Sequence, residues 1–175
     1  MNAPASTGGS SRPYQIAALL TVIVDQVTKR IAALYLAGRP RQTFLGDTFR
    51  LDYAENVGAF LGLGTNLPPL VRSLIFIGGV AAILVTVALM LRRSHWPPLP
   101  RLGLWLVLAG GASNLVDRIV RGSVIDFMNM GIGSLRTGIF NVADMALMAG
   151  LAMLVFAGDR KPADAGQPSA NASGS

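Results

Sequence analysis

Four aspartates stand in or beside strongly apolar sequence: Asp25 inside the first apolar stretch, Asp117 and Asp126 behind the third, and Asp144 at the head of the fourth. An ionisable group at bilayer depth costs about 3 kcal/mol on insertion scales, so it is retained mainly for function. Two carboxylates brought together in a water-poor pocket cannot both ionise easily. They share a proton, and one member then acts as general base for water while the other acts as general acid. That is the arrangement an aspartic peptidase needs. Taken singly, each Asp reads more readily as a helix cap or a salt-bridge partner.

Further polar groups cluster around these positions. Asp25 and Lys29 are spaced i,i+4, which puts them on one helical face where they neutralise each other; alone, the couple reads as an orienting lock for its helix. Asn56-Val57-Gly58-Ala59-Phe60 offers an amide and small residues that let another backbone approach, although a simple loop turn explains it equally well. In Gly110-Gly111-Ala112-Ser113-Asn114-Leu115-Val116-Asp117-Arg118, Asn114, Asp117 and Arg118 fall at i, i+3 and i+4. Their shared face is either a structural lock or the wall of a site, and the small residues before it allow tight helix contact. Val124-Ile125-Asp126-Phe127 reads as a strand-like loop. Phe140-Asn141-Val142-Ala143-Asp144 lies near a helix start, where the macrodipole favours an anion.

The elements that must hold these groups are membrane helices. The chain has 175 residues, 51% hydrophobic and only 14% charged, against about 25% charged in soluble domains. Apolar windows cover about 14–36, 70–91, 102–116 (its span reaching about 118) and 139–157, each near the roughly 17 to 25 residues that cross hydrocarbon as a helix. The third is the shortest, completed only if Arg101 or Arg118 snorkels to an interface. The expected fold is an all-α polytopic membrane protein, four transmembrane helices with a small β-rich periplasmic platform. That platform occupies about 40–66 and 122–138: Thr43 to Tyr53 alternates aromatic and β-branched residues with polar ones around a Gly46-Asp47 turn, and the second stretch adds strands to it. The glycine-rich segment 59–69 is expected along the interface, with Pro68-Pro69 opening helix two. Residues 1–13 and 159–175 read as disordered tails flanking one domain, 14–158. Asp25, Gln26, Lys29 and Arg30 follow the first apolar run without a cleavage pattern, so helix one reads as an uncleaved span.

The net charge of +6 does not indicate nucleic acid, because the basic residues are scattered through short loops. Arg92, Arg93 and Arg101 are unopposed by acids, and Arg160 and Lys161 follow helix four; both sets place the second loop and both termini in the cytoplasm. Arg39, Arg41 and Arg50 in the opposite loop run against this signal. The chain contains no cysteine, which excludes a thiol nucleophile and thiolate metal site. No His-Glu-x-x-His motif is present, and lone His95, beside Trp96 and Pro97, reads as a surface residue rather than a ligand or base.

The ordered set Asp-Gln-x-Thr-Lys, Asn-x-Gly-Ala, Gly-Gly then Asn-x-x-Asp-Arg, Val-x-Asp-Phe and Phe-Asn-x-Ala-Asp resembles the lipoprotein signal peptidase (signal peptidase II) family, from Asp25 to Asp144. The resemblance implies a bacterial inner-membrane aspartic endopeptidase that cuts diacylglyceryl prolipoproteins on the amino side of the lipidated cysteine. It implies Asp126 and Asp144 as catalytic, with Asn56, Gly58, Asn114, Arg118 and Asn141 lining the substrate site and Asp25 and Lys29 as a supporting pair. Asp117 suits a supporting ion pair with its neighbour Arg118. Ser113 departs from the pattern where glycine is usual, and Phe60 stands one residue early. No metal or cofactor is expected; the partners are the lipidated precursor and membrane lipid, and the enzyme is expected to work as a monomer near the periplasmic face. The rival readings are a small proton-coupled transporter using Asp25, Lys29 and Asp144 as a relay, and a structural subunit whose acids lock helix packing.

Overall fold

The computed structural model describes residues 10–58, 66–93 and 96–158. Both expected tails, apart from Ser10 to Pro13, lie outside the described residues, as do His95 and Phe60. Helix α1 spans Arg12–Tyr35, two residues earlier than the apolar window, because Pro13 presets the first turn. It is built inside out: Asp25 and Lys29 are buried, while Leu20, Ile23, Val27 and Ile31 are about half exposed. A water-soluble helix shows the reverse pattern.

Pro68 caps α2 (Pro69–Ser73), which continues through a π-helical turn, Leu74–Gly79, into α3 (Val80–Arg93). Helix α4 covers Pro98–Arg121 and corrects the expectation that the third window would be shortest. Proline at its first turn starts it early, and the polar residues Ser113, Asn114 and Asp117 extend it because they are buried against neighbours. Gly122 ends it with φ 76°, the left-handed conformation that glycine adopts without strain. Helix α5 is Val142–Gly158, shorter than the window 139–157 at its start, where Phe140 bridges to Met128 instead. Leu70–Arg92 and Pro98–Arg121 are long and apolar enough to cross a membrane, and Val142–Ala157 is a shorter apolar helix.

The loops build the small β platform expected from the sequence, a four-stranded antiparallel sheet in the order β1-β2-β3-β4: β1 Gln42–Phe44, β2 Phe49–Asn56, β3 Val124–Ile132 and β4 Leu135–Arg136. Phe44 pairs with Phe49, so the first turn is the four-residue loop 45–48 rather than Gly46-Asp47 alone. Leu45 and Asp47 both take positive φ there, and Arg50 holds the Asp47 carboxylate from two nitrogens. Pairing of β2 with β3 shifts register between Leu51 and Ala54. The resulting bulge lies beside Asp126, a placement common near functional sites. Ala32 of α1 and Leu36 just beyond its end pack on Ile125 and Phe127 of β3, fixing the sheet to the end of the helices.

Candidate active site

Asp126 sits on β3 and Asp144 in the first turn of α5, and a single residue, Asn141, connects them. The start of α5 is a reciprocal cap: Asn141 Oδ1 accepts from the Asp144 backbone N–H at 2.9 Å, while the Asn141 backbone N–H donates to Asp144 Oδ2 at 3.1 Å. This is the capping-box arrangement, with Asp in the fourth place. It explains why α5 starts at Val142. The Asn141 side-chain N–H donates to Asp126 Oδ1 at 2.7 Å, so a fully buried amide touches both aspartates.

The remaining carboxylate oxygens are also engaged. Asn56 donates to Asp126 Oδ2 at 3.0 Å and Asn114 donates to Asp144 Oδ1 at 2.9 Å. Asn56 Oδ1 in turn accepts from the Gly58 N–H, which ties the end of β2 to the site. Asp126 is 3% exposed, whereas Asp144 is only half-buried. Burial pushes the Asp126 carboxyl up to about 6; the Asn56 hydrogen bond opposes the rise and the nearby Asp144 charge adds to it.

Behind this pair lies a second, deeper cluster. Lys29 Nζ donates to Asn114 Oδ1 at 2.8 Å and forms ion pairs with Asp25 Oδ2 and Asp117 Oδ2, each at 2.7 Å. Asp25 also accepts from the Ser113 hydroxyl and, through Oδ1, from the Ala143 N–H at 2.8 Å. The ammonium therefore fixes which end of the Asn114 amide faces Asp144. Asp117 pairs with Lys29 and not with Arg118 as expected from their adjacency, since consecutive helical residues point in different directions. Arg118 instead donates to the carbonyls of Gly58 and Asn114 and lies over the Phe76 ring.

All ten residues singled out from the sequence thus join one connected region. Ser113 and Gln26 were given no role there, yet Gln26 donates to Ser113 and Asp117 and Ser113 is wholly buried. Their signal was polar character at helical spacing, Gln26 three residues before Lys29 and Ser113 four before Asp117. Among the described residues no group of three His, Cys, Asp or Glu is placed to hold a metal.

A helical protein that exposes its apolar side chains and buries amide-clamped aspartates beside a small sheet has the character of a membrane-embedded enzyme. The family model described as Signal peptidase (SPase) II matches residues 17–158. A lipoprotein signal peptidase of Moorella thermoacetica is 32% identical over 145 residues, covering 81% of this chain and 89% of the relative; one from Burkholderia mallei is 32% identical over 151 residues, covering 86% and 90%. A solved bacterial membrane enzyme superposes with a TM-score of 0.74 at 25% identity, covering 83% of this chain and 86% of the other. The chain belongs to the signal peptidase II family.

Proposed function

We propose that the protein is a membrane aspartic endopeptidase that releases signal peptides from diacylglyceryl-modified prolipoproteins, cutting on the amino side of the lipidated cysteine. The relatives' names support the substrate class and favour peptidase over the carrier alternative. The observation that carries the aspartic mechanism is the pairing of Asp126 and Asp144 through Asn141. Asparagine side chains hold both carboxylates, and none of these contacts consumes the proton that the pair needs. In this reading one carboxylate removes a proton from water as it attacks the scissile carbonyl, and the other protonates the leaving nitrogen. Asn56, Gly58 and Arg118 line the peptide's path, and the sheet holds the extended segment by main-chain hydrogen bonding.

Helices α1, α2–α3, α4 and α5 form four spans of one domain in the bacterial inner membrane. Both termini are cytoplasmic, the sheet and dyad lie at the periplasmic face, and the enzyme acts as a monomer. The inside-out exposure of α1 and the run of Arg92, Arg93 and Arg101 without an acidic residue among them in sequence support this arrangement. Incubation of the purified enzyme in detergent with a diacylglyceryl precursor tests the activity. Asp126→Asn and Asp144→Asn should each abolish cleavage with the fold intact, and Asp117→Asn should reduce it by loosening Lys29. Near-normal turnover by Asp126→Asn, with none by a folded Asp117→Asn, would overturn the assignment.

A further inference from the structure

A shallow, open cleft lies beside the aspartate network and shares Arg118 with it, between the α2 end of the second helix and the last turn of α4. Val57, Phe76 and Ile77 form its apolar wall, and Arg72, Ser73 and Arg118 supply its polar groups. Neither arginine makes an ion pair with a carboxylate among the described residues. Asp117, Asp126 and Asp144 attract Arg118 at a distance, but their oxygens are held by Lys29 and by the amides described above. Arg118 Nε is buried without a hydrogen-bond partner, a cost that a bound acceptor relieves. Two guanidinium groups and a hydroxyl around one cavity match the oxygens of a phosphate.

The surroundings indicate where that phosphate comes from. Leu70, Leu74 and Ile75, on the same helix as Arg72, are exposed and face lipid in the four-span arrangement. The cleft also lies level with Gly122, where α4 ends, so it falls at headgroup depth. We propose that this cleft binds the phosphate of an anionic phospholipid, with acyl chains running down the exposed face of the second helix. The proposal rests on the membrane reading of the helices and not on the peptidase reading.

The test is thermal melting of the full chain in detergent, titrated with short-chain phosphatidylglycerol, phosphatidylcholine or inorganic phosphate. Phosphatidylglycerol should raise the melting temperature at lower concentration than the other two. Arg72→Gln should weaken that response about tenfold or more, the loss of one charge-assisted contact. Arg121→Gln, which removes an exposed charge at the same end of α4, should respond like wild type, and Arg72→Lys should keep a weakened response. Melting without lipid verifies that each variant folds, and cleavage is assayed separately, so failure here is distinct from failure of the peptidase reading. An unchanged response in Arg72→Gln, or an equal loss in Arg121→Gln, would overturn the site. Equal potency of inorganic phosphate would overturn its assignment to lipid.

Discussion

Burial of Asp126 has a consequence for stability as well as for chemistry. Its carboxyl titrates at about 6 in the fold and near ~3.9 in an unfolded chain. Between these values the folded state keeps a proton that the unfolded state has released, so stability falls as pH rises through the window and is level above it. The ionised group then costs the fold about 3 kcal/mol. Asp126→Asn removes that titration, and its own penalty, an amide N–H facing the donors of Asn56 and Asn141, does not vary with pH. The melting temperature of the variant relative to wild type should therefore climb from about pH 4 to about pH 6.5 and then level off. A difference independent of pH would show that Asp126 titrates like an exposed carboxylate. At this scale the local contacts were legible: the i,i+4 spacing gave Asp25 to Lys29, and Asn141-x-x-Asp144 has the spacing of a capping box. The other two acceptors of Lys29 come from α4, far along the chain, and no local pattern announces them. That is why Asp117 was matched with its neighbour Arg118.

Helices α4 and α5 meet along glycines, and this seam sets where Asp144 stands. A Cβ on Gly110 would lie 2.4 Å from the Ala143 carbonyl oxygen, and one on Gly103 would lie 2.8 Å from that of Gly150. Backbone cannot yield as a side chain can. Gly110→Ala should thus push the first turn of α5 outward, lowering stability by about 1–3 kcal/mol and reducing turnover more than it changes the apparent affinity for precursor. Gly111→Ala is the contrast, since its Cβ meets only the Leu84 methyl at 2.6 Å, which can turn away; thermal melts and steady-state cleavage of the two variants should separate clearly. Equal behaviour would mean that α5 is not held by this contact. The small-residue run signalled close packing from sequence, but not which glycine faces which helix. Element ends were misread for a related reason. Hydropathy stops where polar residues begin, so it missed the final turns of α4, whose polar side chains are buried, and overran the start of α5, where Phe140 belongs to a β-bridge.

The distribution of surface over the whole molecule is that of a protein whose solvent is lipid. Apolar side chains cover α1, α2–α3 and the outer face of α5, while Asp25, Lys29, Asn114, Asp117, Asp126 and Asn141 are buried beside a small apolar core. Exposed apolar surface on this scale is stable only against hydrocarbon. The proposed four-span arrangement puts both chain ends on one side, and Arg92, Arg93 and Arg101, at the facing ends of α3 and α4, favour the cytoplasm for that side. In that proposed arrangement the sheet, Asp126 and Asp144 face the periplasm, where an exported and lipidated precursor would present its cleavage site. The chain lacks cysteine, so single cysteines report orientation without background. Placed at Thr48 or Ser134, in the turns of the sheet, a cysteine should react with an impermeant thiol reagent in intact spheroplasts; placed at Ser94, it should react only after the membrane is opened. Labelling of Ser94→Cys in sealed spheroplasts would invert the molecule. The dyad would then lie on the side from which precursors have already departed, and the proposed substrate could not reach it.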